Sequence, residues 1–136
     1  MILFLDACAL IYWQESVEPF YGRFIGAMRK IHRKFPEAGI AVSRLTQLEC
    51  LVKPLQQGNT DLIEAYRRYF LLPELMIMEL DAAAMERAAV LRAGIKGLRT
   101  PNALQAACAL AITEKSVFFT SDPVFKKVPG LEIVCL

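Results

Sequence analysis

Asp6 closes the run Met-Ile-Leu-Phe-Leu-Asp, and Asp122 closes Phe-Phe-Thr-Ser-Asp. Each is a carboxylate placed just after a short apolar run. Glu49 stands in the first turns of a predicted helix that follows a third such run, Ile40-Ala41-Val42. If the runs are neighbouring strands, their ends lie about 4.8 Å apart and Asp6 and Asp122 face one crevice. Position 102, just after Pro101, opens another helix on the same face. Oxygens converging on one rim suit a hard divalent cation such as Mg²⁺ or Mn²⁺. Two such ions about 4 Å apart activate water and stabilise the leaving oxygen of a phosphodiester. Without a cation the clustered carboxylates repel, and one takes up a proton. Taken singly, Asp6 reads first as a helix N-cap and Asp122, before Pro123, as a turn former. As a pair they read as functional.

The elements that must position these groups follow from hydrophobic patterning. Ile2, Leu3, Phe4 and Leu5 lack polar alternation, which predicts a strand buried on both faces. Helices are predicted over 7–14 and 19–34, the second with Phe20, Phe24, Met28 and Ile31 on one stripe and an end at Pro36 and Gly39. After the strand 40–42, Ser43 caps a helix that Pro54 and Gly58 are expected to break. A helix from Thr60 to about Leu71, a strand 76–78 and a helix 82–93 capped by Asp81 come next. Gly94 to Gly97 is a loop. Thr100 and Pro101 read as an N-cap followed by proline at the first helical position, opening a helix to Ile112. Strands 117–119 and 133–135 complete the pattern. Alternating strands and helices imply an α/β fold: three α/β/α layers around a mostly parallel sheet of about five strands.

The 136 residues suffice for one domain, assigned to 1–136. Hydrophobic residues reach 55 %, above the usual 45–50 % or so, which excludes disorder and predicts a filled core with an apolar partner surface. No stretch approaches the roughly 18 apolar residues of a membrane span, and no basic signal-peptide start is present, so a cytoplasmic protein is expected. Cys8, Cys50, Cys108 and Cys135 are far apart in apolar surroundings and read as buried free thiols. A net charge of +2 does not itself announce nucleic-acid binding, but the cations cluster.

The stretches Leu3-Phe4-Leu5-Asp6, Ser43 to Glu49, Pro101 to Ala107 and Phe119 to Phe125 together resemble PIN domains, most closely the VapC-type ribonuclease toxins of prokaryotic toxin–antitoxin pairs. The resemblance spans essentially the whole chain. It implies a Mg²⁺- or Mn²⁺-dependent endoribonuclease with its first acid at Asp6, its second at Glu49 and its last at Asp122, and Thr120 as a hydroxyl that orders the site. The third acid falls where this chain has Asn102, which offers an uncharged carbonyl oxygen. The loss of one negative charge implies weaker metal binding, whether the asparagine is natural or an inactivating substitution. The resemblance also implies an RNA substrate, a cognate antitoxin laid over a groove, and a homodimer.

Lys96 and Arg99, just before position 102, are candidates to hold RNA phosphates. Lys53, one helical turn after Glu49, reads equally as a phosphate contact or a surface ion pair. His32 is the only histidine and sits among cations, so it reads as surface; a histidine-based acid–base nuclease pair is excluded. Asp81 reads as a helix cap. Tyr12, Trp13, Phe20 and Tyr21 read as core or protein interface. A catalytically inactive PIN-fold module binding RNA or an antitoxin is the second reading. A phosphotransferase with Asp6 as nucleophile ranks far behind, because the acid–base Asp expected two residues on is Cys8.

Overall fold

A computed structural model describes residues Met1 to Leu136. Five strands form one sheet: β1 (Ile2–Leu5), β2 (Gly39–Ser43), β3 (Met76–Met78), β4 (Ser116–Thr120) and β5 (Ile133–Cys135). Their order is β3-β2-β1-β4-β5 and every pairing is parallel. Six helices intervene: α1 (Ala7–Gln14), α2 (Phe20–Lys34), α3 (Arg44–Gln57), α4 (Thr60–Tyr69), α5 (Ala82–Gly94) and α6 (Thr100–Leu110). A short 3-10 turn covers Pro123–Lys127.

Because side chains alternate along a strand, β1 feeds two cores. Ile2 and Phe4 join Phe118, Phe125 and the alanine faces of α5 and α6. Leu3 and Leu5 join Leu10, Phe24, Tyr66 and Phe119 under α1 to α4. Phe4 stacks on Phe118 at 5.3 Å between ring centroids. Full burial of such side chains contributes roughly 1.5–3 kcal/mol each, which explains the absence of polar alternation in β1. Helices thus cover both faces, in three layers as the alternating pattern predicts.

Central β1 pairs with β4 in the register Leu5 opposite Phe119. One residue on, the Asp6 N–H donates to the Phe119 carbonyl at 3.2 Å. The last ladder bond therefore delivers Asp6 to the carboxyl edge of the sheet beside Thr120. Ser43 ends β2 at the same edge and caps α3, its Oγ accepting from the Thr46 N–H. Asp81 caps α5 through the Ala84 N–H at 2.8 Å, as its position after β3 predicts.

Three local expectations are corrected. Pro54 does not break α3 but lies buried inside its last turns. This close to the C-terminus a proline removes one intrahelical bond, and its burial against the core offsets the loss. The helix ends instead at Gly58, whose φ of 61° needs the left-handed region. Thr100 is the first residue of α6 rather than its cap; Arg99 holds the cap position without a side-chain bond. Cys135 is exposed and Cys8 only half-buried, whereas Cys50 and Cys108 are buried as expected; all four are free thiols. The terminal strand β5 lies at the sheet edge, which leaves Cys135 uncovered. No helix is long and apolar enough to cross a membrane.

Candidate functional site at the carboxyl edge of the sheet

Asp6, Glu49, Asn102 and Asp122 line one depression of about 240 Å³, together with Cys8 and Gln105. The four come from the end of β1, from α3, from α6 and from the turn after β4. The fold therefore brings together every residue of the expected acidic set. Four other expected residues do not line that depression, Thr120 because it is fully buried at the end of β4. Lys96 and Arg99 line a separate, adjoining cavity, and Lys53 is exposed further along α3 without an ion pair to Glu49.

Asp6 caps α1 and also lines the depression. Its Oδ1 accepts the Ala9 N–H at 2.9 Å and the Cys8 thiol at 2.9 Å. Only 5 % of Asp6 is exposed, and burial raises its carboxyl above the usual range. Bonds from Cys8, Thr120 and the Ala9 N–H pull the other way, and the charge of Asp122 adds to the rise. Glu49 is raised as well, first by burial and then by the charge of Asp6, with Gln105 opposing. Its Oε1 is buried without a hydrogen-bond partner. A buried oxygen of this kind costs about 1–3 kcal/mol unless something satisfies it.

Thr120 links the two aspartates. Its hydroxyl accepts the Asp122 N–H at 2.9 Å and favours the charged form of Asp6. Asp122 accepts the Val124 N–H on Oδ1 and the Asn102 amide on Oδ2, at 2.9 and 3.2 Å. Asn102 thus turns a donor toward the neighbouring carboxylate.

A buried polar brace lies behind the acids. Ser43 Oγ donates to Gln105 Oε1 at 2.8 Å, and Gln105 Nε2 donates to Thr46 Oγ1 at 2.9 Å. The brace joins β2 and α3 to α6 and so sets the position of Glu49 relative to Asn102. The sequence reading missed it. The signal was a lone glutamine inside the apolar run Ala-Leu-Gln-Ala-Ala-Cys-Ala. It also missed the rim formed by Cys8 Sγ, Ser121 Oγ and Tyr12 Oη, whose consecutive contacts are 3.2 and 3.1 Å. His32 is half-buried and contacts only the Met28 carbonyl of its own helix.

No three acidic, histidine or cysteine side chains are gathered closely enough to enclose an ion. The donor chemistry nevertheless fits an oxygen-preferring cation. Three carboxylates face one depression, the Asp122 charge adds to the rise of Asp6 and the Asp6 charge to that of Glu49, and a Glu49 oxygen has no partner. Asp6, Glu49 and Asp122 are the candidate ligands, with Asn102 offering an uncharged oxygen.

The PIN domain family model matches residues 3–131. This chain belongs to the PIN domain family. Two solved structures share its fold. VapBC2 from Rickettsia felis, crystallised with a DNA fragment from its promoter, has a chain 21 % identical, with a TM-score of 0.71 over 99 % of this chain and 98 % of that one. A toxin–antitoxin complex from Klebsiella pneumoniae has one 21 % identical, with a TM-score of 0.69 over 97 % and 95 %. No curated protein matches the sequence. As a PIN domain, the chain has a wholly parallel five-stranded sheet with flanking helices, where its sequence implies a mostly parallel one of about five strands.

Proposed function

We propose that this PIN domain is the VapC-type toxin of a toxin–antitoxin pair, a Mg²⁺- or Mn²⁺-dependent endoribonuclease weakened by Asn102. The observation that carries this reading is the convergence of Asp6, Glu49 and Asp122 on one depression, from three separate elements. Those three carboxylates would hold the cation, with Asn102 as a neutral fourth contact. When bound, a divalent cation lowers the pKa of water and draws negative charge from a phosphodiester.

The chain's own residues prepare that chemistry. Burial raises Asp6 and Glu49, so ionising both at once is unfavourable until positive charge arrives. Thr120 holds Asp122 by its N–H and favours the charged Asp6, which keeps two ligands aligned. Lys96 and Arg99 stand where RNA phosphates would approach, and Lys53 is a peripheral contact.

The antitoxin partner is supported by the two toxin–antitoxin complexes that share the fold. An apolar partner surface is supported by Leu48, Val52 and Leu55, which stand 59, 44 and 53 % exposed on one stripe of α3. The proposal includes a homodimer and a cytoplasmic setting.

A binding module without turnover is the second reading. The bond from the Asn102 amide to Asp122 Oδ2 favours it, because it engages an oxygen a cation would need. Cleavage of single-stranded RNA in Mn²⁺ is the test, comparing the parent with Asn102→Asp and Asp6→Asn, beside Mn²⁺ calorimetry. The nuclease reading expects stronger cleavage by Asn102→Asp and none by Asp6→Asn. Equal cleavage by the parent and Asn102→Asp removes position 102 from the ligand set. The absence of a saturable Mn²⁺ site in either protein leaves the binding module.

A further inference from the structure

A second concave site adjoins the acidic depression and differs from it in sign. A cavity of about 550 Å³ is lined by Arg92, Lys96 and Arg99, over an apolar floor that includes Ala89, Ile95 and Leu98. The connection between α5 and α6 builds it. Arg87 reaches the Ala107 carbonyl at 3.4 Å, so these helices run antiparallel and their short link sits at the Asn102 end. Gly97 makes the turn possible with φ of 85°.

Two of the cations are held in place. Arg92 Nε donates to the Leu98 carbonyl at 3.3 Å, across the link. Lys127 Nζ donates to the Lys96 carbonyl at 3.3 Å and approaches the open face of Gly97. No carboxylate lines the cavity, and none of the four cations has an acidic partner within 4 Å; the one ion pair of the molecule is Arg44 with Glu79. α6 begins here with no side-chain cap, so its first N–H groups add partial positive charge. Three like charges around the concavity and Lys127 beside it repel, and an anion relieves them.

The cavity and the depression have no lining residue in common, but one turn links them. The turn Pro123–Lys127 is capped by Asp122 in the depression and ends in Lys127 at the cavity. The turn is tied to the start of α6 by Asn102 to Asp122, and to the link before α6 by Lys127 to the Lys96 carbonyl. Guanidinium and ammonium groups without acidic partners match phosphate oxygens by charge and by hydrogen-bond geometry.

We propose that Arg92, Lys96, Arg99 and Lys127 form a phosphate-binding subsite that grips the backbone of an RNA strand beside the acidic depression. This rests on the nuclease reading for its substrate class and adds Arg92 and Lys127 to the contact surface. An acidic protein segment is the competing occupant.

The test measures binding without turnover. Full-length Asp6→Asn protein in EDTA is titrated with a fluorescein-labelled single-stranded RNA from 50 to 300 mM KCl. Single strands lose affinity with a log–log slope of about −0.7 per phosphate contact, or roughly fivefold per contact at 0.1 M salt. Arg92→Gln/Arg99→Gln and Lys96→Gln/Lys127→Gln should each flatten the slope by about 1.4 and weaken binding roughly 25-fold at 0.1 M salt. Arg29→Gln/Lys30→Gln, on exposed residues of α2, should leave the slope nearly unchanged. The proposal is overturned if both cavity pairs bind like the parent, if the α2 pair weakens binding as much, or if an oligoglutamate of equal charge displaces the RNA through the same cations. Circular dichroism of each variant confirms folding. RNA cleavage by Asn102→Asp is scored separately. Cleavage with an unchanged slope sinks the subsite alone, and a cation-dependent slope without cleavage sinks the nuclease reading alone.

Discussion

The side-chain amide of Asn102 donates to Oδ2 of Asp122 at 3.2 Å, joining the first turn of α6 to the turn after β4. A carboxylate at position 102 would meet Asp122 with charge in place of a hydrogen bond. The same residue thus stabilises the ion-free site and withholds one negative charge from a cation.

Asn102→Asp should consequently lower stability in EDTA and raise it in Mn²⁺. Loss of the bond and the new repulsion cost about 1–2 kcal/mol, or several degrees in Tm for a chain of this size. Mn²⁺ affinity and RNA cleavage should each rise roughly 10- to 100-fold. Thermal melts with and without Mn²⁺ measure the crossover. A Tm unaffected by Mn²⁺ in both proteins would remove the cation from the site.

Protonation supplies a second handle. Burial raises the Asp6 and Glu49 carboxyls, so the folded protein holds their protons more tightly than the unfolded chain does. Each group therefore contributes less stability as pH climbs from the ordinary carboxylate range through its raised value, and levels off above it. Asp6→Asn keeps a cap-forming side chain and removes the ionisation. In EDTA this variant should be more stable than the parent at pH 7–8, with the gap closing toward pH 4 at no more than about 1.4 kcal/mol per unit. Urea denaturation across that range checks it, and a gap independent of pH refutes it.

The brace of Ser43, Gln105 and Thr46 is fully buried. Gln105→Ala leaves two hydroxyls without their partner and opens space beneath Glu49. The expected loss is about 2–4 kcal/mol in urea denaturation at an unchanged m-value. Mn²⁺ binding should weaken in the same variant, since α3 and α6 lose their cross-link at the site. A loss below about 0.5 kcal/mol would show that the brace is dispensable.

Thiol reactivity should follow burial. The Cys8 thiol is pushed up to about 12 by burial and by the Asp6 charge beside it, and Cys108 to about 11. At pH 8 the Cys8 thiolate is scarce, so alkylation is slow although the residue borders an open depression. Exposed Cys135 should react first with iodoacetamide and Cys8 far later, as peptide mass spectrometry would show. Equal rates would contradict the hydrogen bond from Cys8 to Asp6.

The apolar stripe on α3 tests association. Leu48→Glu with Leu55→Glu should leave the secondary structure and Tm close to those of the parent, because both side chains already face water. If the proposed homodimer forms through this stripe, light scattering should report a dimer for the parent and a monomer for the variant. Unchanged association would move the partner surface elsewhere, for example to Val90 on α5, which is 71 % exposed.

Local chemistry along the chain determined most of the architecture. The doubly apolar β1, the caps at Asp6, Ser43 and Asp81, and the alternation of strand and helix depend on side-chain type and period, so they are legible without coordinates. Asp6, Glu49 and Asp122 were legible as candidates for the same reason, since each follows a recognisable strand end or helix start; Asn102 became a candidate only through the family resemblance. Pro54 was misread because a proline's effect depends on how near it lies to a helix end and on what buries it. Tertiary structure alone decided that Asn102 bonds to Asp122, that Gln105 ties Ser43 to Thr46, and that Lys127 meets the link between α5 and α6. These contacts join residues 20 to 62 positions apart. No periodicity within one element carries information about such partners; the order of strands in the sheet and the packing of helices over it do.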